Sequence, residues 1–215
     1  MKKLNLLLCL LIPSIVYCQD FTGVIKTEYT YEDMSPEVKA QIAMFPTSTT
    51  IYVRENLSKA VTSTRMSEMI VLEDTETGDV IRLQSAMGNK IDIRSNVNDN
   101  QEEEEEDEDE FEFLDETKEI LGYTCKKAYY EDENVEVTIY YTEELPQLPA
   151  TTQMPDIKGY PMEMTVVTEA YTTIVAVTEV SKEKVKKIKM EVPAEYKEMT
   201  REEILEMQRG MQSGG

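Results

Sequence analysis

From Phe21 onward the chain is cut into short runs in which apolar and polar residues alternate, and no other feature restricts the fold so tightly. Phe21, Ile25, Tyr29 and Tyr31 share one side of a period-two pattern, with Lys26 and Glu28 on the other. Thr49–Asn56 and Ser58–Arg65 meet at Asn56-Leu57, and Met69–Glu73 and Asp79–Met87 flank the hairpin signal Thr77-Gly78. Gly88-Asn89 turns into Lys90–Arg94, where Ile91 and Ile93 share a face. Phe111–Glu119, Thr124–Glu131 and Val135–Thr142 continue the series, the last two joined across Asp132-Glu133-Asn134. Met162–Val180 reads as two strands turning near Ala170, because its β-branched density is too high for a helix. Lys184–Val192 reads as a closing strand with Ile188, Met190 and Val192 inward. About a dozen short strands at regular spacing predict a mainly β chain built on one strongly curved antiparallel sheet. Ile139, Tyr141, Met162, Met164, Val166, Val175 and Met190 are expected to line its buried face or an apolar cavity.

Two segments carry the helical period instead. Ser35-Pro36-Glu37 supplies a cap and a first-turn proline, and Val38, Ile42 and Phe45 make an apolar stripe over Pro36–Phe45. Thr200 and Glu203 form a capping box ahead of Ile204, Met207 and Met211, which predicts a helix over Arg201–Met211. Two small helices are too few to cover both faces of such a sheet, so a lid or plug over one side is expected. Between the strands, Glu102–Glu110 is an unbroken acidic run. Its self-repulsion predicts a disordered excursion over about Asn96–Glu110. With neither glycine nor EF-hand spacing it offers diffuse cation binding rather than a calcium cage. Pro146, Pro149 and Pro155 place the stretch from Glu143 to Gly159 outside the sheet. There Leu145, Leu148, Met154 and Ile157 either gate a cavity or pack a crossover on the edge.

The amino terminus gives a compartment. Met1-Lys2-Lys3, an apolar run over Leu4–Val16 and the small-x-small Val16-Tyr17-Cys18 have the layout of a secretory signal peptide over residues 1–18. A single domain over residues 19–215 is then expected, periplasmic or secreted, with no transmembrane segment once the signal is removed. Acylation at Cys18 is the alternative, disfavoured by the bulky Tyr17 before it. With Cys9 and Cys18 gone, Cys125 has no partner for a disulfide and the fold must stand on its core.

Chemistry is limited by what is missing. The sequence has no histidine, which removes His-based triads and His-ligated zinc, and no carboxylate pair stands out among 43 acids. A catalytic role is therefore not expected, nor is a cofactor. Met162 and Met164 lie two apart as in thioether copper sites, but nothing nearby completes one. The net charge of -21, which becomes -23 without Lys2 and Lys3, excludes nucleic acid as a partner. Twelve of the 13 methionines lie beyond the signal and suit an adaptable apolar surface.

Two stretches, Glu116-Thr-Lys-Glu-Ile-Leu-Gly-Tyr-Thr-Cys-Lys-Lys-Ala128 and Asp156-Ile-Lys-Gly-Tyr-Pro-Met-Glu-Met164, with the opening Phe21-Thr22-Gly23, resemble uncharacterised secreted bacterial proteins of GLPGLI-like families. These are similar in turn to the LolA/LolB-like superfamily of outer-membrane lipoprotein-sorting carriers. The resemblance implies a half-barrel of antiparallel strands, closed by short helices around a hydrophobic cavity. It implies a binding protein for a lipid or a lipoprotein acyl chain, with no site residue to carry over. Within the motifs, Gly122 and Gly159 mark strand ends or bulges, and Pro161 is expected to start an edge strand. The competing expectation is an envelope interaction or scaffold protein that meets a basic partner through its acidic surface.

Overall fold

The computed structural model describes residues 21–86, 88–98, 111–148, 157–200 and 203. The signal segment, the whole acidic run Glu102–Glu110 and most of the second helix expected from sequence lie outside the described residues. The elements in chain order are β1 (Gly23–Glu32), α1 (Pro36–Gln41), β2 (Ser48–Arg54), β3 (Leu57–Ser63), β4 (Ser67–Asp74), β5 (Asp79–Ala86) and β6 (Asn89–Asn96). There follow β7 (Glu112–Ile120), β8 (Tyr123–Glu131), β9 (Val135–Thr142), β10 (Tyr160–Thr168), β11 (Thr172–Ser181) and β12 (Lys197–Glu198).

All twelve strands join one sheet, in the order β12-β6-β5-β4-β3-β2-β1-β11-β10-β9-β8-β7. Two meanders, β1–β6 and β7–β11, are zipped together where β1 pairs antiparallel with β11. The first strand is therefore central, and only β12 runs parallel to its neighbour, β6. The sheet curls. One buried cluster reaches from Val80 on β5 through Ile51 and Ile25 to Met162 on β10 and Cys125 on β8.

Register sets what faces inward. The row Ile25–Ile51–Ala60–Val71–Arg82 crosses β1 to β5, and the next row runs Thr27–Thr49–Thr62–Met69–Gln84. In the other arm, Tyr29 opposes Val175, which opposes Met164, Ile139 and Ala128 in turn. Bulges break this register at β1/β11 beside Lys26 and Thr27, at β9/β10 between Pro161 and Glu163, and at β7/β8 between Leu114 and Thr117. Pro161 is thus on an interior strand, not the edge strand expected from its sequence. Pro161 opposes Tyr141 on β9 just before the bulge, and the pairing of β10 with β11 starts only at Glu163.

The segment after β11 also departs from expectation. Residues 182–196 form an irregular strap, because β1 and β10 already occupy both sides of β11 and leave no edge for another strand. The strap crosses the outer face, where Val185 and Ile188 pack with Val24 and Leu72. Its far end is fixed by β12 against β6: Met199 N–H donates to the Asp92 carbonyl at 2.9 Å, and the buried Asp92 carboxylate takes Arg94 Nε at 3.0 Å.

Helix α1 is a short rim element. Ser35 caps it by accepting from Val38 N–H, a 3-10 turn at Ile42–Met44 follows, and none of its residues is buried. Phe45 after that turn packs edge-on against Tyr31, with ring centroids 5.2 Å apart, and against Tyr171. The element closes one end of the sheet rather than plugging its centre. Thr200 and Glu203 do form the capping box, with Thr200 N–H donating to Glu203 Oε2 and Glu203 N–H to Thr200 Oγ1.

The β8–β9 hairpin carries a pH-dependent stabilisation. Asp132 Oδ1 accepts the N–H groups of Asn134 and Val135 at 2.6 and 2.8 Å, which holds the carboxyl below its ordinary value; the Tyr130 hydroxyl adds a smaller contribution. A depressed folded-state value stabilises above the unfolded one, and the effect is lost as pH falls through the folded value. The melting-temperature gap between wild type and Asp132→Ala should therefore be full above pH about 4 and shrink as the solution is acidified further. A gap that widens on acidification would contradict this assignment.

Candidate functional site

The curl leaves a cavity of about 470 Å³ on the inner face, between the two arms of the sheet. From one arm it is lined by Ile51, Ala60, Met69 and Val71 on β2 to β4, and from the other by Tyr160, Met162 and Met164 on β10 and Val175 and Val177 on β11. The β9/β10 bulge helps: it inserts Met162 as an extra residue, so that Tyr160, Met162 and Met164 all reach the cavity.

A hydroxyl row interrupts the apolar wall. Tyr29 Oη lies 3.1 Å from Thr49 Oγ1, which lies 2.9 Å from Thr62 Oγ1, so the three groups satisfy one another across β1, β2 and β3. Burial pushes the Tyr160 phenol well above its ordinary range, although a bond with Thr27 opposes the shift. At physiological pH the Tyr160 hydroxyl is a neutral donor and acceptor, not a base. Among the described residues Arg82 on β5 is the one charged residue of the lining. Outside the lining, in register with Val80, Glu73 on β4 is buried and accepts from Ser58 Oγ at 3.2 Å. Among the described residues no buried side-chain nitrogen or oxygen lacks a partner, and no group of three or more His, Cys, Asp or Glu residues is placed to hold a metal.

Of the residues expected from sequence to line such a surface, Met162, Met164 and Val175 line this cavity. Ile139 and Tyr141 are buried beside it in a cluster with Ala128 and Ile157, against which Met164 packs. Val166 is half-buried farther along β10, in register with Val137, and contributes no cavity wall. Met190 is the exception. It belongs to the strap and packs on the outer face, because the segment expected to be a strand crosses over the sheet. In the proline-bearing connection, Leu145, Leu148 and Ile157 are core residues, which makes this stretch an anchored crossover where it is described. Cys125 is fully buried, and burial raises its thiol above the ordinary value, as suits a packing residue.

The periodicity missed Arg82 and the hydroxyl row. It also missed a larger cleft of about 790 Å³ between the outer face and the strap, floored by Val24, Leu72 and Leu83 and rimmed by Lys59, Lys184 and Lys189. Its walls are heavily charged, and strap residues Val185 and Ile188 already cover part of its floor. The inner cavity is the better candidate for an apolar ligand.

The described residues thus form one open curved sheet with an apolar hollow on its inner face. A family model described as the N-terminal domain of N-glycanase peptide, PNGase F-II, matches residues 41–208. The chain belongs to this family of N-glycanase N-terminal domains. Among solved structures, PNGF-II in a P21 crystal form superposes with a TM-score of 0.54 at 14% identity, covering 87% of this chain and 33% of that one. The chain thus spans about a third of the length of PNGF-II, and the likeness is one of fold. The Mycobacterium tuberculosis lipoprotein LppX aligns over 77% of this chain and 89% of its own with a TM-score of 0.34 at 9% identity. LprF from Mycobacterium bovis aligns over 79% and 92% with a TM-score of 0.33 at 9% identity. No curated protein sequence matches the chain. Among the described residues no helix is long and apolar enough to cross a membrane.

Proposed function

We propose that this domain is a non-catalytic binding module that takes an apolar chain, such as a lipid or a lipoprotein acyl chain, into its inner cavity, and that it works in the cell envelope or outside the cell. One observation carries the reading. No carboxylate is among the described residues that line the inner cavity, in a chain with 43 acids. Its volume falls in the range of roughly 300–1,000 Å³ typical of small-molecule sites. Methionines at its centre give a wall that adapts to a flexible chain. The motif-bearing stretches that resemble GLPGLI-like proteins and LolA/LolB-like carriers are consistent with such cargo.

Titration with a neutral fluorescent probe such as Nile red tests this. Saturable binding is expected, with a loss of about tenfold or more for Val175→Asp, which places a carboxylate in the apolar wall. Native mass spectrometry of gently purified protein should also show co-purified lipid. A wild-type protein that is empty and ignores the probe overturns the reading.

The family match favours a second reading, in which the domain is an interaction module that acts alongside an N-glycanase. Its acidity would then steer a basic partner surface, an effect that fades with salt as the Debye length falls to about 8 Å at physiological ionic strength. Co-elution with a separately produced N-glycanase catalytic domain at low salt, and independent of the Val175→Asp substitution, would support it.

A further inference from the structure

Accepting the cavity as an apolar-ligand site, we infer that Arg82 selects the ligand's head group and that the preferred ligand is a single-chain amphiphile ending in a carboxylate. Arg82 lies at the β5 end of the apolar row Ile25–Ile51–Ala60–Val71, so its guanidinium stands where that floor stops. Among the described residues it is the one charged side chain in the cavity wall. Its Nη1 donates to Ser95 Oγ at 3.3 Å, a single long bond from a group with five N–H donors in a planar fork. Glu73 stands outside the lining, in the neighbouring row with Val80, and accepts from the Ser58 hydroxyl. The remaining fork matches a carboxylate, which takes two parallel N–H bonds in plane.

The rest of the wall fits the other end of such a molecule. Met162, Met164 and Val175 lie across the cavity on β10 and β11, so a chain whose head meets Arg82 runs its tail between the two arms of the sheet. Charge on the whole molecule sharpens the selection. A net charge of -21 repels anions at the surface generally, so an anionic head needs a local cation in a wall cleared of acids. Alcohols and esters of the same length accept a weaker bond from the guanidinium, without the charge pairing and the bidentate geometry.

Displacement of Nile red by dodecanoate, dodecanol and dodecyl phosphate reads this directly. Dodecanoate should displace the probe at about tenfold lower concentration than dodecanol. Arg82→Gln should abolish that preference, and Arg82→Lys should retain part of it, since an ammonium keeps the charge but loses the planar fork. Equal potency of acid and alcohol, or a preference that survives Arg82→Gln, overturns the role of Arg82 and leaves the cavity reading intact. A dodecyl phosphate stronger than dodecanoate overturns the carboxylate in favour of a phosphate head. Failure of all three in a protein that binds no probe overturns both readings.

Discussion

Gly159→Ala should lower the melting temperature by roughly 10 °C, while Gly122→Ala lowers it by a few degrees at most. Both glycines occupy positive φ, at +145° and +84°, but their surroundings differ. At Gly122 an added Cβ would meet open space, so the cost is that of a left-handed conformation, about 1–2 kcal/mol. At Gly159 the φ value lies in a region used essentially by glycine alone, and the Cβ would run into the Thr142 carbonyl and the Glu143 Cα where β9 ends beside β10. Backbone is what it would strike, so no rotamer change relieves the clash. Local strain of up to about 3 kcal/mol and displacement of the β9–β10 pairing then combine. For a domain of this size each kcal/mol shifts the midpoint by about 2–4 °C. Thermal melts of the two variants side by side give the comparison, and equal shifts would show that the close approach at Gly159 does not constrain the fold.

Those two glycines were legible in the sequence because a turn requirement is local. So were the strands. Val135–Thr142 was expected with the bounds observed, and the turn near Ala170 divides β10 from β11 as the β-branched pattern implied. Strand order was not legible, because pairing depends on which edges remain free, and that is decided far away in sequence. The β1–β11 junction joins Lys26 to Glu179, and it is this pairing that denies the strap a place in the sheet. Ile188 and Met190 alternate with lysines as a strand would, yet no edge beside β11 was left for them. Pro161 shows the same limit: its residue type argued for an edge, yet it lies on β10, three strands in from β7, beside a bulge.

The site was half legible for a related reason. Period-two reading assigns faces only when one face is wet. On β5, Val80 and Arg82 point inward while Ile81 and Leu83 point outward, and both sides carry apolar residues because the strap covers the outer face. The pattern therefore gave no sign that Arg82 faced a cavity. Met162, Met164 and Val175 were recognisable because they sit in dense apolar runs with few polar competitors. The hydroxyl row was not, since Tyr29, Thr49 and Thr62 lie on three strands and meet only through register.

Ile25→Ala should be the most damaging simple truncation in the core, lowering the melting temperature by about 10 °C or more. Ile25 is fully buried on the central strand, in register with Ile51 on one side and Val180 on the other. It belongs to the cluster through which the β2–β5 arm and the β8–β10 arm share a core. Removing its outer methyl groups forfeits transfer free energy and leaves a void between strands that are held by ladders on both sides and cannot close in. Such truncations cost about 2–5 kcal/mol, against a total of roughly 5–15 kcal/mol for a domain. Met44→Ala is the matched control, because Met44 is 64% exposed and its loss should change the midpoint by about 1 °C or less. The position also links stability to binding. Ile25 begins the row that ends at Arg82, so a void there should loosen the floor and weaken probe binding even at temperatures where the variant is folded. If Ile25→Ala melts like wild type, the two arms of the sheet do not share a core, and the cavity between them loses its physical basis.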